Sequence, residues 1–123
     1  MDTLKGGHFR FDFKERLKGR SQIKAVFNKG RRVSCPGARL FALKNNLPHN
    51  RICFTFPRGF GGAVSRNRAR RLGREAYRLL KPETQPLCDG YDLILLVYPE
   101  ENATLSLRVQ QMQRLFAKVG LIK

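Results

Sequence analysis

The chain has 123 residues, 41% of them hydrophobic, which is enough for one small domain with a single core. Its 25 Lys and Arg residues against 9 acidic ones give a formal net charge of +16, and arginine is the more common cation. This excess favours nucleic acid as a partner, because arginine suits phosphate contacts and base stacking. The sequence contains neither an apolar run of the roughly 18 residues that span a bilayer nor a signal-peptide core, so we expect a cytoplasmic protein without a membrane partner.

The cysteine and histidine content argues against a metal site or a disulfide framework. Cys35, Cys53 and Cys88 are odd in number and widely spaced, and only His8 and His49 could join them as ligands. We expect three free thiols and no cofactor held by the protein.

The amino end, from Met1 to about Arg20, is basic and contains Phe9, Phe11 and Phe13. This composition predicts a mobile or loosely docked arm, with residues 1–15 a flexible basic arm within one RNA-binding domain of residues 1–123. A short strand, or an arm that stacks on RNA, is the alternative.

A short helix is predicted in "SQIKAVFNKG". Ser21 is the expected N-cap, Ile23, Val26 and Phe27 form an apolar stripe, and Gly30 is the expected stop.

Two strands are predicted next, over Ala38 to Leu43 and over "RICFTF", with the turn "NNLPHN" between them. Pro36 and Gly37 interrupt the chain before the first strand. We expect these two strands to form an antiparallel hairpin. One face of the first strand should carry Arg39, Phe41 and Leu43.

The second half of the chain predicts a crossover unit and a final helix. A helix from about Gly61 to Lys81 is stopped by Pro82, and "YDLILLVYP" has the continuous apolar character of a buried central strand. The final helix has Thr104 as its expected N-cap. Its apolar stripe consists of Leu105, Val109, Met112, Leu115, Phe116 and Val119.

The helix before Pro82 has two contrasting faces. The arc expected to pack on the sheet holds Ala69, Leu72, Ala76, Leu79 and Leu80. The opposite arc holds Arg66, Asn67, Arg70, Arg71, Arg74 and Arg78.

The arginines of this helix are unfavourable for an isolated helix. Like charges at i, i+4 repel, Glu75 is the only acid available to offset them, and Gly73 costs about 1 kcal/mol relative to alanine. A solvated basic face is one interpretation, and a close backbone neighbour would explain the glycine. Phosphate neutralisation in a complex with RNA is the interpretation that we favour.

The segment "AVSRNRARRLGREAY" resembles the signature of the protein subunit of bacterial ribonuclease P. In that family Arg-Asn-Arg is followed by a basic pair, then by Arg with Glu or Gln and Ala. The order of elements also resembles the family over roughly residues 16 to 119. The signature positions here are Arg66, Asn67, Arg68, Arg70, Arg71, Arg74, Glu75 and Ala76.

The resemblance implies an α+β fold, a small single-domain α/β sandwich like those of ribosomal proteins. It also implies a left-handed βαβ crossover, against the usual right-handed preference.

The resemblance further implies two RNA-binding surfaces. The signature helix would contact the catalytic RNA through Arg66, Asn67, Arg68, Arg70, Arg71 and Arg74. A cleft between the first helix and the sheet would hold the 5′ leader of precursor tRNA, lined by Ile23, Phe27, Phe41 and Arg58. Simple core packing is the alternative for Phe27 and Phe41. The chain departs from the family pattern at Ile23 and at Pro57, Arg58 and Gly59.

By resemblance, the partners are ribonuclease P RNA and precursor tRNA, and RNA with bound Mg²⁺ performs the cleavage. No DNA partner is expected, and no catalytic residue is assigned to this chain. A structural ribosomal or general RNA-binding protein is the main alternative. A protein-only nuclease and a membrane-active basic helix remain as weaker ones.

Overall fold

The structure, a computed structural model, describes residues 13–84, 90–100 and 102–122. The predictions for residues 1–12 and for Cys88 lie outside this part of the chain. Short 3₁₀ turns cover Phe13–Glu15 and Lys81–Glu83. The main elements are α1 (Arg20–Lys29), β1 (Arg31–Cys35), β2 (Ala38–Lys44), β3 (Arg51–Thr55), α2 (Ala63–Leu80), β4 (Tyr91–Val97) and α3 (Leu105–Lys118).

The four strands form one sheet in the order β1-β2-β4-β3. Strand β4 pairs with β2 in antiparallel and with β3 in parallel orientation, so the predicted hairpin between β2 and β3 is wrong. Residues Asp92 to Leu95 are buried, and such a strand needs neighbours on both edges, which places β4 in the centre. The hairpin in the sheet joins β1 to β2 through Pro36 and Gly37. We did not predict β1, because its residues are largely exposed.

Helix α2 connects the parallel neighbours β3 and β4, as the predicted crossover unit requires. The left hand of this crossover stays a prediction from the resemblance.

The sheet is covered on both faces, which confirms the sandwich. On one face α2 and α3 pack over the main core, where Tyr77 and Phe116 meet edge to face with ring centroids 6.3 Å apart. On the other face a smaller cluster joins Leu17, Val26, Phe41 and Ile94, and α1 lies against β2 and β4.

The segment before α1 is docked on the sheet, and the flexible basic arm predicted for residues 1–15, most of which lie outside the described residues, stays a prediction. The Leu17 amide donates to the Ile52 carbonyl at 3.1 Å, and the Leu17 side chain is buried. Glu15 is also buried and pairs with Lys81 at 2.9 Å. Local composition showed the basic residues here but not the partners that bind the segment.

The helix ends confirm three of the four predicted signals, one of which is that α2 ends at Leu80, two residues before Pro82. Gly30 ends α1, with its amide donating to the Val26 carbonyl, and the Thr104 hydroxyl accepts from the Leu107 amide at 3.1 Å. The N-cap of α1 is Gly19 rather than Ser21, because the extended chain turns into the helix two residues earlier than predicted.

The buried face of α2 is rotated from the predicted arc. Ala69, Ala76 and Leu80 are buried as expected, but Leu79 is 44% exposed and Leu72 is half-buried.

Gly73 and Tyr77 take part in the buried face instead. A Cβ atom on Gly73 would lie 2.7 Å from the Phe54 ring, so the glycine permits α2 to approach β3. The close neighbour is therefore an aromatic ring rather than backbone.

Candidate nucleic-acid interface

The signature arginines of α2 are distributed over both flanks of the helix. Arg70 and Arg74 are half-buried and line a pocket together with Ile52, Cys53 and Phe54 of β3. We call this flank of the helix, with Arg70 and Arg74, the β3 edge of α2. Arg68 lines a different pocket, between α2 and the start of α3, and Asn67 and Arg71 are exposed. The helix thus presents cations on its outer face and on both flanks.

Arg70 is held from two sides. Its guanidinium lies 5.2 Å from the centre of the Phe56 ring, and its Nη1 donates to the Asn67 side-chain oxygen at 3.0 Å. Stacking on a ring and an amide acceptor fix the plane of the guanidinium. Arg70 is therefore oriented before any ligand binds.

The pocket at the β3 edge collects positive charge from two parts of the chain. Arg16 and Lys18, from the segment before α1, join Arg70 and Arg74 around a volume of about 190 Å³. Partial burial lowers the pKa of Arg74, and repulsion by Arg16 and Arg70 lowers it further. A polyanion at this edge would relieve the repulsion among these cations.

The loop before α2 has a glycine-dependent conformation. Gly59 and Gly61 adopt φ of 83° and 142°, which side chains disfavour. Arg66 donates to the Gly61 carbonyl at 2.6 Å, and Gly62 caps the helix without a side-chain bond. The exposed start of α2 therefore carries backbone amides that a phosphate could reach.

An aromatic pair supports the same loop. The rings of Phe56 and Phe60 lie 4.7 Å apart, and Phe56 also contacts Arg70. Sequence reasoning missed this support. The phenylalanines that flank the glycine cluster were the available signal.

One pair of charges on α2 is internally balanced. The Glu75 carboxylate accepts two hydrogen bonds from Arg78, which lowers the pKa of Glu75 and raises that of Arg78. Glu75 therefore offsets the charge of Arg78, which follows the signature residues in the helix.

The predicted cleft residues on α1 and β2 lie together. Phe27 is 41% exposed and meets Phe41 edge to face, with ring centroids 4.8 Å apart. Phe41 itself is buried in the smaller core cluster, and Ile23 packs against that cluster. Arg58 is exposed in the loop three residues after β3. Phe41 thus fulfils the core-packing alternative, while Phe27 offers an exposed ring.

The floor of this cleft continues across the sheet. Phe41 is opposite Ile94, and Ile94 is opposite Cys53. Burial and repulsion by Asp92 raise the pKa of Cys53 to about 11, so its thiol is neutral. Cys35 and Cys53 are free thiols. Sequence reasoning did not place Cys53 here, because the pairing of β3 with β4 was not predicted.

Across residues 13–84, 90–100 and 102–122, no three His, Cys, Asp or Glu residues lie close enough to share a metal ion. No helix within these same ranges combines the length and the apolar character that crossing a membrane requires.

A four-stranded sheet with helices on both faces and a helix with arginines on its outer face and both flanks define a small basic protein of the RNA-binding class. The family model described as Ribonuclease P matches residues 11–120. The chain belongs to the ribonuclease P protein family.

Similar proteins agree with this assignment. The ribonuclease P protein component of Gluconacetobacter diazotrophicus is 38% identical over 112 residues, covering 89% of this chain and 95% of that protein. The component of Natranaerobius thermophilus is 42% identical over 80 residues, covering 65% and 67%.

Solved structures show the same fold at lower identity. The ribonuclease P protein of Staphylococcus aureus has a TM-score of 0.75 at 19% identity, covering 89% of this chain and 98% of that one. The protein of Thermotoga maritima has a TM-score of 0.74 at 22% identity, covering 85% and 96%.

Proposed function

We propose that this chain is the protein subunit of a ribonucleoprotein ribonuclease P and promotes removal of the 5′ leader from precursor tRNA. Family membership gives the enzyme class and the formation of mature tRNA 5′ ends. It disfavours the alternative of a structural ribosomal protein. The observation that carries the proposal is the set of signature arginines on the outer face and both flanks of α2, with Arg70 already oriented by Phe56 and Asn67.

The signature helix is the proposed contact with the catalytic RNA. At the β3 edge, Arg16 and Lys18 join Arg70 and Arg74, so the positively charged surface extends beyond the helix. Guanidinium groups on such a surface replace the counterions of the RNA backbone and gain affinity from their release. The proposed contacts are Arg66, Asn67, Arg68, Arg70, Arg71 and Arg74.

The cleft between α1 and the sheet is the proposed site of the 5′ leader, formed by Ile23, Phe27, Phe41 and Arg58. Single-stranded RNA is bound by aromatic platforms beside positive charge. Phe27 provides the exposed ring, and Phe41 fixes its orientation from below. Arg58 provides the charge for a leader phosphate.

The hydrolytic chemistry belongs to the RNA and its Mg²⁺ in this proposal. Mg²⁺ prefers carboxylate and phosphate oxygens, and the described part of the chain offers no cluster of carboxylates to hold it. The protein lowers phosphate repulsion between the two RNAs and positions the leader. We propose a cytoplasmic location, where precursor tRNA is processed.

Single-turnover cleavage of a 5′-extended precursor tRNA by a bacterial ribonuclease P RNA tests the function. At low Mg²⁺ we expect the protein to stimulate cleavage at the mature 5′ end, and to cleave nothing alone. Cleavage by RNA-free protein would contradict the proposal. A folded protein that binds RNA without stimulating cleavage would favour a general RNA-binding role.

The assignment of α2 is tested by replacing Arg66, Arg70 and Arg74 with alanine. A matched control replaces Arg31, Arg32 and Arg114 with alanine. These residues are exposed on β1 and α3, and their replacement removes the same amount of charge. We expect weaker binding to the catalytic RNA for the α2 variant than for the control, with circular dichroism unchanged in both. Equal affinities for the two variants would contradict the assignment.

A further inference from the structure

A second pocket lies on the flank of α2 away from β3. It occupies about 280 Å³ between the first half of α2, the loop after β4 and the start of α3. This volume is close to the lower end of small-ligand sites, about 300 Å³. Its polar lining consists of Ser65, Arg68, Glu100 and Arg108.

Arg108 is the unusual member of this pocket. Its residue is only 2% exposed, and Nη1 donates to the Gln111 side-chain oxygen at 2.9 Å. Its Nε–H group is buried and has no hydrogen-bond acceptor among the described residues. A buried donor without an acceptor is unfavourable, and native structures rarely keep one without a reason. A ligand that brings an acceptor into the pocket would satisfy this group.

The other walls restrict the chemistry of that ligand. Phe60, Leu72 and Pro99 provide apolar surface, which a free phosphate would not use. Glu100 is a hydrogen-bond acceptor and repels an anion. A flat ring with apolar faces, acceptors on one part of its edge and donors on another fits all of these groups.

Guanine has this pattern. Its O6 and N7 atoms accept from arginine, which is the commonest specific contact in nucleic-acid recognition, and its N1–H and N2–H groups donate to a carboxylate. We propose that the pocket between α2 and α3 binds one unstacked guanine of the ribonuclease P RNA, with Arg108 and Glu100 reading its edge.

The location of the pocket supports an RNA ligand, an argument that rests on the proposed function. Arg68 belongs to the signature helix, is exposed and lines the pocket, so an RNA backbone that binds α2 passes its mouth. Sequence-specific contacts to RNA are commonly made to bases that have left the stack.

Guanosine 5′-monophosphate and the free full-length protein provide the first test. We expect saturable NMR shifts at the amides of Ser65, Leu72 and Ala103, with affinity about tenfold higher than for cytidine 5′-monophosphate. Inorganic phosphate should not reproduce these shifts. Equal shifts and affinity with inorganic phosphate would identify a simple anion site and overturn the proposal, as would no response to either nucleotide.

The variant Glu100→Gln separates base recognition from charge. Glu100 is exposed, so the fold should be retained, and Glu83→Gln is a control with the same change in net charge outside the pocket. We expect Glu100→Gln to weaken guanosine monophosphate binding about tenfold and Glu83→Gln to leave it unchanged. Stronger binding by Glu100→Gln would show that the ligand is read as an anion, which would overturn the proposal.

Kethoxal modification of guanines in the assembled holoenzyme supplies the final test. Wild-type protein should protect one guanine that becomes reactive with Glu100→Gln and stays protected with Glu83→Gln. If the wild-type protein stimulates cleavage but no guanine depends on Glu100, the pocket proposal is wrong and the proposed function stands. If the wild-type protein fails to stimulate cleavage, the proposed function is wrong. The nucleotide titration still tests whether the pocket binds guanine.

Discussion

At the scale of single residues, Arg70 is a proposed RNA contact whose side chain is already oriented. Phe56 and Asn67 hold its guanidinium in place, which lowers the entropy lost on binding. The pKa of nearby Arg74 is lowered because burial and neighbouring cations disfavour its charged form. The position and the surroundings of these two side chains therefore matter in addition to their charge.

Replacement of Arg70 by lysine and by alanine should separate orientation from charge. We expect Arg70→Lys to weaken binding to the catalytic RNA by about 1 kcal/mol with an unchanged salt dependence, because the charge remains and the stacking is lost. Arg70→Ala should weaken binding and lower the salt slope by about 1. Fluorescence titration over a range of salt concentrations measures both quantities. Wild-type affinity for Arg70→Lys would show that stacking on Phe56 adds nothing.

The thiol of Cys53 should react slowly in the folded protein. Folding raises its pKa from 9.0 to about 11, so its thiolate fraction at pH 8 falls about a hundredfold. The stability that the neutral thiol contributes is present below pH 9.0 and is lost as pH rises towards about 11. Peptide mass spectrometry after iodoacetamide treatment, with and without urea, measures this reaction. Equal rates in the two conditions would contradict the burial of this thiol.

At the scale of elements, the contact between α2 and β3 depends on a missing side chain. A Cβ on Gly73 would lie 2.7 Å from the Phe54 ring. Overpacking of this kind costs about 1–3 kcal/mol, whereas alanine gains about 1 kcal/mol in helix propensity. We therefore expect Gly73→Ala to lower the free energy of unfolding by about 1 kcal/mol, measured by urea denaturation.

A double-mutant cycle supplies the control for this contact. In a Phe54→Leu background the ring is absent, so Gly73→Ala should be neutral or stabilising. The same loss of stability in both backgrounds would show that the ring does not set the distance between α2 and β3.

The exposed ring of Phe27 on α1 leads to a separate prediction about binding of the 5′ leader. Phe27→Ala should weaken binding of precursor tRNA by about 1–3 kcal/mol, because one base loses its stacking platform. Binding of mature tRNA should not change. Leu79→Ala is the matched control, since Leu79 and Phe27 are similarly exposed, at 44% and 41%. Equal losses of affinity for precursor and mature tRNA would show that the leader does not bind in this cleft.

At the scale of the whole molecule, the formal net charge of +16 suits the proposed contact with RNA. We expect the stimulation of cleavage to be greatest at low Mg²⁺ and to fade as Mg²⁺ or monovalent salt rises, because these ions then neutralise the phosphates themselves. Single-turnover rates over a matrix of the two salts measure this effect. Stimulation that is independent of ionic conditions would argue against charge neutralisation as the main contribution of the protein.

Local sequence patterns were enough to predict most of the helices and the central strand. Helix α2 and its cationic face, the buried strand β4 and the stripe of α3 follow from periodicity, and the cap at Thr104 follows from its side-chain chemistry. The extended signature around Arg66 indicated the family.

Only the tertiary structure decided which elements meet. Strand β4 separates β2 from β3, the segment around Leu17 docks on β3, and Arg108 is buried beside α2. Periodicity shows which side of an element is apolar, because that depends on neighbours in sequence. The partner of that side depends on contacts between residues far apart in the chain, whose free energy no local pattern records.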